Sequence, residues 1–231
     1  MDRQHSASGR QAARAGAGAR LAWALALVMA LAGPALARAD DRMRFARVEG
    51  GFCPLEGCIL AKGRIGPDTH RAFAQAVREL KIQPGAELIL DSPGGDLVDG
   101  LKLGLQIRKA GLRTRVADAS TTPPSSGLCA SACAYAFLGG VVRQVDGAAR
   151  LGVHQFGDPS SGGALSAAGT QQLVAVIADY FAAVGANLRL ETVALRTPPN
   201  QIHWLSRHEL EALSVVTSAE EASAPEVGAA G

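Results

Sequence analysis

Aromatic side chains are scarce in this sequence: Phe, Trp and Tyr make up 4% of its 231 residues. A protein that binds single-stranded nucleic acid presents aromatic rings on which the bases stack, so this composition argues against that class. Charge of one sign is also lacking, since the formal net charge at pH 7 is only +2. So small a charge gives no indication of a polyanionic partner, and we expect no nucleic acid among the partners.

The apolar run at Leu21–Ala32 falls short of the ~20 residues that a transmembrane helix needs. Arginines precede this run, Gly33-Pro34 ends it, and Ala35-Leu36-Ala37 offers the small residues that a signal peptidase recognises. These features predict a secretory signal peptide at residues 1–39. We therefore expect a periplasmic or secreted protein with no stable membrane insertion after cleavage; an uncleaved anchor is the alternative.

The sequence has four cysteines, Cys53, Cys58, Cys129 and Cys133. In an oxidising compartment an even number indicates disulfides. Three pairings are possible, and we favour the local pairs Cys53–Cys58 and Cys129–Cys133. A metal site is the alternative, but these spacings are not those of a zinc ribbon. We expect no metal and no other cofactor.

Strand patterns alternate with helix patterns along residues 40–217, which we take as one domain, whereas residues 218–231 have the composition of a disordered tail. The predicted strands are Arg42–Val48, Cys58–Ile65, Glu87–Asp91, Arg113–Ala117, Val141–Val145 and Leu151–Phe156. The predicted helices are Pro67–Leu80, Leu97–Ala110, Ala130–Leu138, Ala168–Val184, Leu188–Leu195 and Arg207–Leu213. This alternation predicts an α/β fold with a largely parallel sheet covered by helices.

The stretch from Leu88 to Phe156 carries the most specific chemical signal. Within it, Ser131 lies between small residues where a predicted helix begins. The free N–H groups at a helix start favour negative charge beside the hydroxyl, so Ser131 is a candidate nucleophile. The alternative interpretation is a helix N-cap, a position that serine often fills.

Two further features supply the other parts needed for acyl transfer. The turn Ser92–Gly95 follows a predicted strand, and glycine amides can present their N–H groups to an oxyanion. His154 follows Ser131 by 23 positions and is a candidate general base. Each has a simpler alternative, since a Gly pair is also an ordinary turn and a lone histidine on an apolar strand is often a core residue.

Taken in this order, the motifs resemble the Clp protease proteolytic-subunit family, within the crotonase-like superfamily that also contains signal peptide peptidase A. The resembling residues are Ser92–Gly95, the GxxASA block at Gly127–Ala132, Phe137–Gly140 and Leu151–Gln155. The resemblance is strong from Leu88 to Phe156, faint as far as Thr217, and most like an exported branch of the family. It implies a fold of repeated ββα units.

The resemblance also implies roles for individual residues. Ser131 matches the nucleophile and His154 the general base. The oxyanion hole would be formed by the backbone amides of Gly94 or Gly95 and of Ala132.

The third member of the triad departs from the family pattern. The family places an aspartate just before a segment like the one that begins at Trp204, whereas residues 197–203 contain no acid. Asn200 is the candidate that would orient His154, although an amide cannot stabilise the imidazolium by charge. An Asp-to-Asn change lowers turnover about 10⁴-fold in a Ser-His-Asp protease. Asp158 and Asp179 are alternative acids, and a vestigial site is the remaining alternative.

We therefore expect an exported serine hydrolase that cleaves peptide bonds in a peptide or protein substrate. An exported protein has no ATP supply, so we expect it to act without an ATP-driven partner. A non-catalytic binding or scaffolding domain is the first alternative, supported by the missing acid. An acyl-thioester enzyme is the second, and export argues against it because coenzyme A thioesters are cytosolic.

Members of the resembled family form rings, so the predicted helix Ala168–Val184 is of interest as a contact surface. Its apolar stripe comprises Leu173, Val176, Ile177, Phe181 and Val184. A homo-oligomer interface and ordinary burial within the domain both remain open.

Overall fold

The computed structural model describes residues 41–50, 53–117, 126–157 and 165–217. The predicted signal peptide and the predicted C-terminal tail both lie outside these described residues.

Strands and helices alternate along the described chain, in the predicted order. The strands are β1 Arg44–Val48, β2 Cys58–Lys62, β3 Glu87–Asp91, β4 Arg113–Val116, β5 Leu128–Ala130, β6 Arg143–Val145, β7 Arg150–Val153 and β8 His203–Trp204. The helices are α1 Thr69–Glu79, α2 Leu97–Lys109, α3 Ala132–Leu138, α4 Ala167–Val184, α5 Arg189–Arg196 and α6 Arg207–Ala212.

The strands form two sheets rather than the single sheet predicted. The larger has the order β1-β2-β3-β4-β6, with β1 antiparallel to β2 and the other neighbours parallel. The smaller has the order β5-β7-β8, with β5 and β7 parallel and β8 antiparallel to β7. A parallel bridge between Ser92 and Cys129 connects the end of β3 to β5. The result is a mixed α/β fold with parallel pairing at the centre.

The core lies under the central strands of the larger sheet. Leu88, Ile89 and Leu90 of β3 are fully buried, which accounts for the continuous apolar run in this strand. Helix α2 begins at Asp96, whose carboxylate accepts the Asp99 N–H at 2.7 Å.

Glycines on α2 allow α3 to pack closely against it. A Cβ at Gly100 would lie 2.6 Å from the Ala132 carbonyl oxygen. A Cβ at Gly139 would lie 2.1 Å from the carbonyl oxygen of Gly104. This close approach holds the start of α3 beside the turn that precedes α2, so it brings Ser131 toward the Ser92–Gly95 turn.

The structure corrects two predicted boundaries near the candidate site and adds two short strands, β5 and β8. The helix predicted from Ala130 begins at Ala132, because Leu128–Ala130 instead pairs with β7 as a strand. The strand predicted to reach Phe156 ends at Val153, so His154 follows the strand instead of lying within it. Strand β8 was not predicted, because two residues carry too short a pattern to be recognised.

Helix α4 belongs in part to the core. It buries Ile177, Tyr180, Phe181 and Val184 and leaves Val176 49% exposed. The Tyr180 hydroxyl packs against Gly104 of α2 and donates a hydrogen bond to the Tyr135 carbonyl oxygen. By length and a mean hydropathy of 1.2 this helix could also cross a membrane, but its contacts with α2 and α3 are those of a core helix. Burial within the domain therefore accounts for most of the predicted stripe.

Both predicted disulfides are present. Cys53 is bonded to Cys58 and Cys129 to Cys133, and the described residues contain no free cysteine. The local pairing is confirmed, and the metal alternative is wrong for these thiols. Two disulfides are consistent with an extracellular location.

Candidate functional site

Ser131 occupies a strained turn between β5 and α3. Its backbone has φ 57° and ψ −125°, a region that residues other than glycine rarely adopt and that costs about 1–3 kcal/mol. Its N–H donates to the Gly152 carbonyl oxygen on β7 at 2.9 Å. The Ser131 side chain makes no capping hydrogen bond to α3. Helix capping by the side chain therefore does not explain the serine at this position.

Gly94 lies against this serine and has no room for a side chain. Its φ is 88°, and a Cβ there would lie 2.8 Å from the Ser131 Cβ and 2.3 Å from the Ala130 carbonyl oxygen. The Gly94 N–H donates to the Ser92 hydroxyl at 3.1 Å. This amide is therefore already used within the turn, and of the two glycines only Gly95 has an amide free for an oxyanion.

The amides of Gly95 and Ala132 are unpaired. No hydrogen bond between described residues uses either N–H. Gly95 has φ 144°, and a Cβ there would lie 1.9 Å from the Ile65 carbonyl oxygen, so only glycine fits this position. Ala132 is the first residue of α3, where a helix leaves its N–H groups without internal partners.

A cavity of about 570 Å³ brings the predicted residues together, because Ser131, His154 and Gly95 all line it. Most of the remaining wall is apolar. Its apolar side chains are Ile65, Pro67, Pro93, Leu97, Val98, Phe156, Leu165 and Leu173. Small-molecule and peptide sites typically combine such walls with a few convergent polar groups.

A second cavity, of about 660 Å³, lies beside β6, an edge strand of the larger sheet. Several of the side chains that line it are charged. Arg115 pairs with Glu87 and Asp146 at 2.8 and 2.9 Å. Arg143 donates to the carbonyl oxygens of Val215 and Ser214 at 2.8 and 3.0 Å. These charges bind one another and the backbone, so this cavity has the character of a structural network.

The His154 ring is partly buried, and one of its two nitrogens has no hydrogen-bond partner. The residue follows β7 directly, and burial lowers the pKa of its ring, while a backbone interaction with Gln155 opposes this in part. The ring is therefore neutral near pH 7, as a general base must be. Its Nδ1 atom is buried and has no hydrogen-bond partner. Among the described residues, no carboxylate holds the ring from its Nδ1 side.

Neither of the two candidates that the structure describes, Asn200 and Asp179, supplies that partner. Asn200 is exposed and does not form the predicted hydrogen bond to His154. Asp179 is exposed on α4, and Asp158 lies outside the described residues. Residues that could hold a metal are also lacking: within the four described ranges, no three His, Cys, Asp or Glu side chains converge.

Tyr135 is a cavity residue that the sequence analysis missed. It lies one helical turn after Ser131 and donates a hydrogen bond to the Glu191 carboxyl at 2.7 Å. Glu191 is 4% exposed, burial raises its pKa, and its second oxygen has no partner. The i,i+4 spacing from Ser131 was the available signal, because such residues share one face of a helix.

The comparisons with known proteins agree with the architecture. The fold is similar to ClpP1 from Listeria monocytogenes, with a TM-score of 0.51 at 17% identity, over 69% of this chain and 88% of that one. A point mutant of the same ClpP1 gives a TM-score of 0.48 at 15% identity, with the same coverage. No family model matches the chain, and no curated protein matches it. The structural similarity to ClpP1 shows that the chain has a Clp protease-like fold.

Proposed function

We propose that this protein is an exported serine hydrolase that cleaves peptide bonds, with Ser131 as nucleophile and His154 as general base. The observation that carries the proposal is the single cavity lined by Ser131, His154 and Gly95. The Clp protease-like fold, which is shared with ClpP1, supports it.

The proposed reaction begins when His154 takes the proton of the Ser131 hydroxyl. The serine oxygen attacks the carbonyl carbon of the scissile bond, and the oxyanion that forms accepts hydrogen bonds from the amides of Gly95 and Ala132. His154 then returns the proton to the leaving amine, which departs and leaves an acyl-enzyme. Water, activated by the same imidazole, hydrolyses the ester and restores the serine.

The unpartnered Nδ1 of His154 predicts a slow enzyme. In a triad, the acid orients the ring and stabilises the imidazolium, and its loss costs about 10⁴-fold in turnover. The oxyanion hole and substrate binding still provide about 10³–10⁴-fold over water in the absence of triad members. We therefore expect measurable acylation with slow turnover.

A fluorophosphonate probe tests the proposal, because it reacts only with an activated serine. We expect intact-mass analysis to show one adduct on the wild-type protein, at Ser131, and none on Ser131→Ala. Labelling should fall strongly in His154→Ala and stay at the wild-type rate in Ser126→Ala, a matched change at an exposed serine. A folded wild-type protein that takes up no probe would contradict the hydrolase.

That negative result would favour a second candidate, a binding domain that keeps the fold and lacks the chemistry. The specific observation on its side is again the His154 Nδ1 without a partner. A folded, unlabelled protein that still binds unfolded peptides would support it.

Export is the remaining part of the proposal. The basic, apolar and small-residue segments of residues 1–39 and the two disulfides support it. The N-terminal sequence of the mature protein is expected to begin near residue 38 or 40, after Ala35-Leu36-Ala37 or after Ala37-Arg38-Ala39. A protein that retains Met1 inside the cytoplasm would contradict export.

A further inference from the structure

The Cys129–Cys133 disulfide spans the candidate nucleophile. Cys129 lies in β5, two residues before Ser131, and Cys133 lies in α3, two residues after it. Their Cα atoms are 5.1 Å apart, and both residues are fully buried. A covalent link therefore joins the strand and the helix on either side of the serine.

The backbone at Ser131 needs such a restraint. A positive φ at a residue other than glycine persists only when the surrounding structure over-determines it. The strand side of the turn is held by hydrogen bonds, from the Ser131 N–H to Gly152 and from the Ala130 N–H to Ser92, at 2.9 and 3.1 Å. On the helix side, the bond from the Ala134 N–H to the Ser131 carbonyl lies within the turn itself. The disulfide is thus a direct tie between the two sides.

The second disulfide offers a natural comparison within the same molecule. Cys53–Cys58 closes the loop that leads into β2, and neither cysteine lines the Ser131 cavity. Its sequence separation is 5, against 4 for Cys129–Cys133. The two bonds therefore match in chemistry and loop size but differ in their relation to the serine.

We propose that the Cys129–Cys133 disulfide is a positioning element that makes the reactivity of Ser131 depend on its oxidation. The inference rests on the proposed hydrolase function. A dithiol reductant supplies two electrons and two protons, the S–S bond breaks, two thiols form, and the dithiol becomes a disulfide. The strained turn at Ser131 can then relax, and its hydroxyl moves within the cavity that it shares with Gly95 and His154.

Burial predicts that the Cys129–Cys133 disulfide is reduced after the Cys53–Cys58 disulfide. Cys133 and Cys129 are fully buried, whereas Cys53 is only partly buried. Thiol–disulfide exchange requires access of the attacking thiolate, so a soluble dithiol is expected to open Cys53–Cys58 first. Reactivity should survive that first step and fall with the second.

The test compares two double variants, Cys129→Ala with Cys133→Ala, and Cys53→Ala with Cys58→Ala. The measurement is the second-order rate constant for fluorophosphonate labelling of Ser131, at a temperature where circular dichroism shows each variant folded. We expect the first variant to react about 10- to 100-fold more slowly than wild type, since small misplacements of reacting groups cost rates of that order. The second variant should stay within about twofold of the wild-type rate, because neither Cys53 nor Cys58 lines the Ser131 cavity.

A titration of the wild-type protein with dithiol redox buffers provides a second measurement that needs no variant. Mass spectrometry after alkylation gives the reduced fraction of each bond, and the labelling rate is expected to follow the Cys129–Cys133 fraction and to recover on reoxidation. Equal rates in the folded double variants, or a rate that ignores the state of Cys129–Cys133, would overturn the positioning role alone. An oxidised wild-type protein that never reacts would instead overturn the hydrolase and this inference with it.

Discussion

The two halves of the candidate site differ in how firmly the fold holds them. On the serine side, a strained backbone, a covalent bridge and the Cα of Gly94 surround Ser131. On the histidine side, His154 follows the end of β7 and leaves a buried nitrogen without a partner. Buried backbone holds Ser131 in place, whereas no described carboxylate holds the Nδ1 side of the His154 ring. The contrast teaches that this fold constrains the serine more firmly than the histidine.

The largest expected effect is a loss of stability in Gly94→Ala, which disturbs the serine side of the site. The new methyl group would collide with the Ala130 carbonyl and the Ser131 Cβ, at a position with φ 88°. We expect a loss of about 2–4 kcal/mol in the free energy of unfolding, from overpacking together with the positive φ. Urea denaturation measures it, and labelling of Ser131 should fall in parallel.

Gly147→Ala is the matched control, because a Cβ there would meet no atom within 4 Å. We expect it to be as stable as the wild type. Should Gly94→Ala prove equally stable, the tight contact between the turn and Ser131 would be wrong.

The next effect tests the histidine side. It is the difference in stability between the wild type and His154→Gln as a function of pH. Burial lowers the pKa of His154 in the folded protein below its ordinary 6.5. As the pH falls through 6.5, the unfolded chain binds this proton before the folded protein does, so the wild type loses stability that the variant keeps. Thermal unfolding of both proteins between pH 5 and 8 should show their difference growing below about pH 6.5. Parallel curves would contradict a neutral, buried imidazole.

A smaller effect is expected for Glu191→Gln, which changes the carboxyl that accepts a hydrogen bond from the cavity residue Tyr135. Burial raises the pKa of Glu191 above 4.5, so the unfolded chain releases this proton at a lower pH than the folded protein. The wild type therefore loses stability, relative to the variant, as the pH rises above about 4.5. Thermal melts at pH 4 and pH 7 measure this, and Glu211→Gln at an exposed position is the control. A wild type that gains stability on the variant toward pH 7 would contradict the raised pKa of Glu191, because such a gain requires a folded-state pKa below the ordinary value.

The smallest effect is expected for Asn200→Ala. This side chain is exposed and makes no hydrogen bond to His154. Surface changes of this kind stay within about 0.5 kcal/mol, which corresponds to about a twofold change in labelling rate. A tenfold loss would restore Asn200 as the residue that orients the base.

The local elements of this fold were predictable where the chain carries a complete local signal. Strand β3 was predicted with its observed bounds, Glu87–Asp91, because an apolar run lies between Gly85 and a Pro-Gly-Gly turn. Strand β5 was not recognised, since its three residues are strand only through pairing with β7 and Ser92. The positive φ of Ser131 was equally out of reach, because no local preference favours it.

The candidate site divides in the same way. Residue type and spacing singled out Ser131, His154 and the turn at Gly95 as candidates, and all three line one cavity. Tyr135 and the free nitrogen of His154 were not found, because each depends on what a distant segment brings beside it.

The sequence by itself determined the order of the longer strands and helices, the glycine turn and the separation of the cysteines, since hydrophobic period, capping and turn chemistry act over a few neighbouring residues. Only the tertiary structure decided which of three cysteine pairings forms, and that Ser131 and His154, 23 positions apart, share a cavity. The physical reason is that the parallel pairing of β5 with β7 places the ends of these strands side by side, and such pairing is a property of the whole sheet.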